Sequence, residues 1–73
     1  MKYADFVREE FGEEYVFEVG DWVVTNREVS CMIRSFEKGT RVQIIDVSAR
    51  GYDLMDEHGN RIIETGFDSV CKC

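Results

Sequence analysis

Seventy-three residues, 44% apolar, 12% aromatic and 33% charged, make one small domain with material for a core, and they exclude a disordered tail. A chain this short buries only about 60–65% of its unfolded surface, so its stability rests on few contacts. With a net charge of −6, a pI near 4.6 and nine scattered basic residues, the composition argues against direct nucleic-acid binding, which needs a Lys/Arg patch.

The first stretch, MKYADFVREEFGEE, carries acids where a signal peptide would carry an apolar run. Lys2 stands where myristoylation needs glycine. Within residues 2–11, Tyr3, Phe6, Val7 and Phe11 recur at near-helical spacing, with Arg8, Glu9 and Glu10 on the other side. That spacing predicts a short amphipathic helix, ended at Gly12 and too short to persist unless its aromatic stripe docks on something.

After Gly12 the period changes. Residues 15–19 (YVFEV) alternate and read as a strand, and residues 22–26 (WVVTN) read as a second or as its bent continuation. The run REVSCMIRSFEKG is expected to be a long, partly ordered loop that returns Phe36 to the core, although Val29, Met32, Ile33 and Phe36 also fit one helical face. From Thr40 the pattern sharpens. Val42 and Ile44 point one way and Ile45 and Val47 the other, which predicts a central strand or a bulge near Ile44–Ile45. ARG is a turn, and YDLMD a strand with Tyr52 and Leu54 on one side. EHGN is a tight hairpin turn in which Gly59 and Asn60 tolerate positive φ. RIIET returns, GFDSV makes a single turn and VCKC a last short strand. Strands at this spacing indicate a mainly β small barrel spanning residues 15–73, within a single domain of residues 1–73.

SFEKGTRVQII resembles the lead-in to a strand in Src-homology-3 domains, and RGYDLMDEHGNRIIETGFDSV resembles that family's following hairpin, single-turn helix and closing strand. The resemblance implies an SH3-like small barrel of about five strands with a short N-terminal α-helix. It does not carry over the polyproline groove. At the family's tryptophan position the chain offers Gly51 or Tyr52, and around Phe67 to Val70 there is neither proline nor tyrosine. RGYDLMDEHGNRIIETG also resembles small barrel proteins of bacterial mobile elements. That likeness implies no activity.

Candidate chemistry is sparse. Cys71 and Cys73, at i and i+2 on one strand face, form with Cys31 and His58 the single conceivable zinc or thiol set. The usual C-x₂₋₄-C spacing is lacking, and no metal or other cofactor is expected. Asp53, Asp56 and Glu57 precede a glycine at the wrong spacing for a calcium loop. Cys31 lies between Arg27 and Arg34, which favours a thiolate, but a structural cysteine is the simpler reading. Ser30, Ser35, Ser48 and Ser69 lack an evident activating base. A barrel this small has little room for a deep substrate pocket, so no small-molecule substrate and no enzyme activity are expected.

No apolar run reaches the roughly 20 residues of a membrane helix, and VCKC lacks the aliphatic middle of a prenylation box. An odd cysteine count is no disulfide framework. The expectation is a cytoplasmic, non-catalytic protein-interaction or adaptor module. An aromatic patch, with Trp22, Tyr52 and Phe67 as candidate partner-binding residues, would select a basic or mixed protein partner. Two other readings stand beside it: an acidic mimic of nucleic acid that blocks a DNA- or RNA-binding protein, and a small zinc- or thiol-containing domain.

Overall fold

A computed structural model describes residues 3–72. Lys2, expected to open the helix, and the candidate ligand Cys73 lie outside the described residues, as does Met1. The elements run α1 (Tyr3–Glu10), a 3-10 turn (Glu13–Tyr15), β1 (Trp22–Thr25), β2 (Val29–Ser30), β3 (Ser35–Phe36), β4 (Arg41–Ser48), β5 (Gly51–Asp56), β6 (Arg61–Thr65), a second 3-10 turn (Phe67–Ser69) and β7 (Val70–Lys72). Five strands form one antiparallel sheet in the order β6-β5-β4-β1-β7, and β2 and β3 pair by themselves. No helix among the described residues is long and apolar enough to cross a membrane.

β4 is apolar on both faces for two reasons that coexist. It lies between β1 and β5, and its register on β5 slips between Ile44 and Asp46, so that Ile45 is an extra residue. The slip lets Val42 and Ile44 reach the core while Val47, three residues on, packs against it from the same strand. Tyr52 and Leu54 of β5 and Ile62 of β6 complete the inner face opposite Val23 and Val70.

A second slip separates Tyr52 and Leu54 of β5 from Thr65 and Ile62 of β6, and here the extra residue is on β6. Glu64 takes φ 54°, the left-handed region that costs a side chain-bearing residue about 1–2 kcal/mol. Its N–H is taken up by the Asp53 carboxylate at 3.0 Å. At the tight end of the same hairpin, the Asp56 carboxylate accepts from the N–H groups of His58 and Asn60, both at 2.9 Å. Gly59 has the expected positive φ; Asn60 does not, and serves the turn through these bonds.

Two stretches depart from the sequence reading. Residues 16–19 form no strand: a 3-10 turn replaces the start of the expected one, and the rest is held by side chains. The Tyr52 hydroxyl donates to the Tyr15 carbonyl (2.7 Å) and accepts from the Phe17 N–H (3.0 Å), and the Tyr3 hydroxyl donates to the Phe17 carbonyl (2.6 Å). These phenols satisfy backbone groups that a ladder would satisfy, so Phe17 stays buried without a partner strand, while Val19, which strict alternation would turn inward, is exposed. Residues 29–36, expected as a loop, form a hairpin in which Val29 faces Phe36 and both are buried. A helical face there is ruled out by the full exposure of Met32 and Ile33 at the turn.

α1 docks through Val7, which is fully buried, and through the ring edges of Tyr3, Phe6 and Phe11. Phe6 meets Phe67 at 5.9 Å and Tyr3 meets Tyr52 at 6.2 Å, both edge to face. Such pairs add about 0.5–1.5 kcal/mol each beyond area burial, which is how so short a helix persists. It stops where the N–H groups of Phe11 and Gly12 both turn back to the Val7 carbonyl and Gly12 takes φ 120°.

Candidate functional site

The three aromatic candidates lie in different environments. Tyr52 (0% exposed) and Phe67 (3%) are core residues, packed ring to ring at 5.0 Å with α1 over them. Neither presents a face to a partner while the helix is docked. Trp22 opens β1 and is 37% exposed, with the Arg41 guanidinium 4.5 Å above its ring, a cation–π contact across the β1–β4 pair.

The candidate ligands occupy separate elements. Cys31 is exposed at the β2–β3 turn, His58 is exposed in the β5–β6 turn and Cys71 is half-buried on β7. Among the described residues no three His, Cys, Asp or Glu side chains converge on a point where a metal ion would sit. The arginines flanking Cys31 are engaged elsewhere: Arg27 with Asp68 at 3.1 Å and Arg34 with the Asn60 side-chain carbonyl at 2.8 Å. Ser48 is used structurally, donating to the Gly51 carbonyl and accepting from the Arg50 N–H.

A concavity that no local sequence pattern announces lies between α1 and the far end of β4. It is an open groove of about 730 Å³ lined by Tyr3, Ala4 and Phe6 of the helix, Val47, Ser48 and Ala49 at the β4–β5 turn, Phe67 beneath, and Glu18 at the edge. Its walls are mainly apolar, and Glu18 is its one charged lining group. Finding it from sequence required knowing that the helix packs beside the β4–β5 turn, which no local pattern states.

Charge is distributed unevenly along the chain, and four of the groove's eight lining residues come from its acidic first 21 positions. Residues 1–21 hold Asp5, Glu9, Glu10, Glu13, Glu14, Glu18 and Asp21 against only Lys2 and Arg8, whereas the remaining 52 residues are close to neutral. Arg8 is itself clamped between Asp5 and Glu13. The field is felt at Tyr3: burial first, then the carboxylates of Glu18 and Asp21, push its hydroxyl above the usual tyrosine value. The groove thus couples apolar walls to a single carboxylate, Glu18, at its edge.

A second exposed feature stands at the other end of the sheet. Met32 (101% exposed) and Ile33 (80%) form the tip of the β2–β3 hairpin, next to Cys31 and Arg34. Val29 and Phe36 root the hairpin in the core, and the Arg34–Asn60 bond ties it to the β5–β6 turn. Two bare apolar residues on an anchored knob are unusual on a surface that needs no partner. The alternation of Val29 and Phe36 about CMIR is the sequence signal that would have found it.

Comparison with family models, with curated proteins and with solved structures returned no match.

Proposed function

We propose that the chain is an SH3-like small barrel acting in the cytoplasm as a non-catalytic protein-interaction module, which takes an apolar, positively charged segment of a protein in the groove between α1 and the β4–β5 turn. The strand order β6-β5-β4-β1-β7, with a hairpin between β1 and β4 and a single 3-10 turn before β7, supports the barrel. The observation that carries the function is the pairing of an apolar groove with the most acidic part of the chain. Apolar burial supplies affinity there, and Glu18 at the edge, with the negative charge of the first 21 residues, favours a cationic flank and speeds encounter. The polyproline mode is not proposed, since α1 covers Tyr52.

Site-directed photo-cross-linking tests this. A photoreactive residue in place of Ala49, in the groove, should capture proteins that one in place of Glu57, at the opposite end, does not. Identical sets from both positions, or none from position 49, would refute the reading. The same charge bias supports a second one, an acidic surrogate for nucleic acid on a basic groove of another protein. There, replacing Glu9 and Glu10 by Gln would abolish capture while Ala49→Lys would leave it intact.

A further inference from the structure

We infer that the occupant of the groove is the β2–β3 hairpin of a second copy of this chain, so that the protein associates with itself head to tail. The inference rests on the reading of the groove as a docking surface and names what docks there.

The two features are complementary in shape and charge. The knob offers Met32 and Ile33, bare on an anchored hairpin, with Arg34 beside them. The groove offers about 730 Å³ between apolar walls, within the roughly 300–1,000 Å³ typical of sites that enclose a ligand group, with Glu18 at its edge. Methionine's unbranched thioether adapts to such an irregular space. Residues 26–41 carry Arg27, Arg34, Lys38 and Arg41 against Glu28 and Glu37, a local excess of positive charge in a chain of net −6. Arg27 and Arg41 are paired with Asp68 and Glu57, so Arg34 and Lys38 carry the charge of the hairpin. The groove lies among residues whose balance is strongly negative. Docking brings the positive charge of Arg34, whose guanidinium stays bonded to Asn60, near Glu18 of the next copy.

They also sit at opposite poles. The hairpin is tied to Asn60, beside the end of the sheet where Val42 pairs with Asp56. Ala49 lies at the other end, where Ser48 pairs with Gly51. The eight residues of β4 between them span about 25 Å at roughly 3.3 Å per residue, in a molecule whose longest dimension is 31 Å. A copy therefore does not fill its own groove with its own knob. Two different patches meeting make a heterologous contact, which leaves a free knob at one end and a free groove at the other and propagates as a chain or closes as a ring. The contact is small, well under the roughly 1,200 Å² of a standard interface, so association is weak, concentration-dependent and sensitive to salt.

The test uses the full chain labelled with ¹⁵N and diluted at low salt, with its average mass followed by sedimentation velocity. Amide signals of residues 32–34 and of residues 47–49 should shift together as concentration rises, the mass should rise in step, and added salt should reverse both. The double variant Met32→Ser, Ile33→Ser and the groove variant Ala49→Lys change exposed positions, so each should keep a folded spectrum. Each alone should associate at least about tenfold more weakly, as expected when an interface anchor is lost. Mixed, they should form a one-to-one pair, because the knob variant retains its groove and the groove variant its knob. Shifts at neither patch or at only one, self-association of the knob variant, or a mixture that stays monomeric would overturn the inference. If wild type stays monomeric while position 49 still cross-links another protein, the self-docking inference falls and the interaction reading stands; if neither occurs, both fall.

Discussion

Replacing Tyr52 by Phe tests whether a phenol, rather than a strand partner, holds residues 15–17. The ring would stay in place against Phe67, Phe17 and Tyr3, so packing is conserved and the change isolates one oxygen. That oxygen donates to the Tyr15 carbonyl and accepts from the Phe17 N–H, and its residue is fully buried. A buried backbone group left without a partner costs about 1–3 kcal/mol. The Tyr15 carbonyl belongs to a half-buried residue that water can reach, so the two losses together come to about 2–3 kcal/mol. A domain of this size has about 4–11 kcal/mol of stability in all. At about 4–8 °C per kcal/mol, Tm should fall by about 10–20 °C. Urea unfolding followed by circular dichroism would give the change in free energy with an unchanged m-value, and hydrogen exchange should locate the loss at the Phe17 amide. Tyr3→Phe, which removes one partly buried bond, should cost only about 0.5–1.5 kcal/mol. A Tyr52→Phe variant within about 0.5 kcal/mol of wild type would refute the argument that these phenols substitute for a ladder.

Gly51→Ala should be the most damaging single methyl in the chain. A Cβ at Gly51 would sit 1.6 Å from the Thr65 carbonyl oxygen, a backbone atom fixed in the β5–β6 hairpin, so a loss of about 3 kcal/mol or more is expected in the same urea assay. Glu64→Gly should stabilise: relief of the left-handed backbone outweighs glycine's extra unfolded-state freedom, for a gain of about 0.5–1 kcal/mol, and the exposed Arg50–Glu64 contact at 3.8 Å offsets little of it. The pH dependence is set at the alkaline end by Tyr3 and Tyr52, whose hydroxyls are raised above the usual 10.0 chiefly by burial. Because the folded state holds these protons more tightly, their stabilising contribution is complete below that value and is lost as pH rises through the folded values. The urea midpoint should decline above about pH 10, with tyrosinate absorbance of the folded protein lagging that of the unfolded chain; coincident titrations would contradict this.

How much of this was legible in the sequence follows the range of the interactions. The strands and turns from Thr40 onward read correctly because their information is local. The exceptions are Asn60, which lacks the expected positive φ, and Val47, expected on the face opposite Val42 and Ile44 but brought back to the core by the slip at Ile45. Alternation places Val42, Ile44, Tyr52 and Leu54 inward, glycine and asparagine chemistry sets the turns, and even the slip at Ile45 shows as apolar residues on both faces. The N-terminal helix reads for the same reason, as one stripe at one period. Residues 15–19 misread because alternation reports which side chains face inward, not what satisfies the backbone between them. The partners are the hydroxyls of Tyr52, 35 and 37 residues away, and of Tyr3, 14 residues away. Residues 29–36 misread because two-residue strands carry too little pattern to outweigh the competing helical spacing of Val29, Met32, Ile33 and Phe36.

The candidate site was the least legible part, and the cause is general. Reading aromatics as contact residues picked Tyr52 and Phe67, which the fold uses as the floor on which α1 stands. In a chain this short the largest side chains are needed for the core, and what is left for the surface is what the core can spare. Besides the isolated Val19, Trp22 and Ile63, the exposed apolar features among the described residues are a Met–Ile knob and a groove whose walls are the partly buried edges of residues already spent on folding. The acids concentrated in residues 1–21 fit the same logic. Those on α1 (Asp5, Glu9 and Glu10) and those on the segment after it (Glu13, Glu14, Glu18 and Asp21) are solvent-exposed, so they cost the fold little, and Glu18 gives the groove's edge a sign. The property a partner would read is therefore the placement of charge relative to the groove. The total charge of −6 conceals it, because nearly the whole of that excess belongs to the first 21 residues.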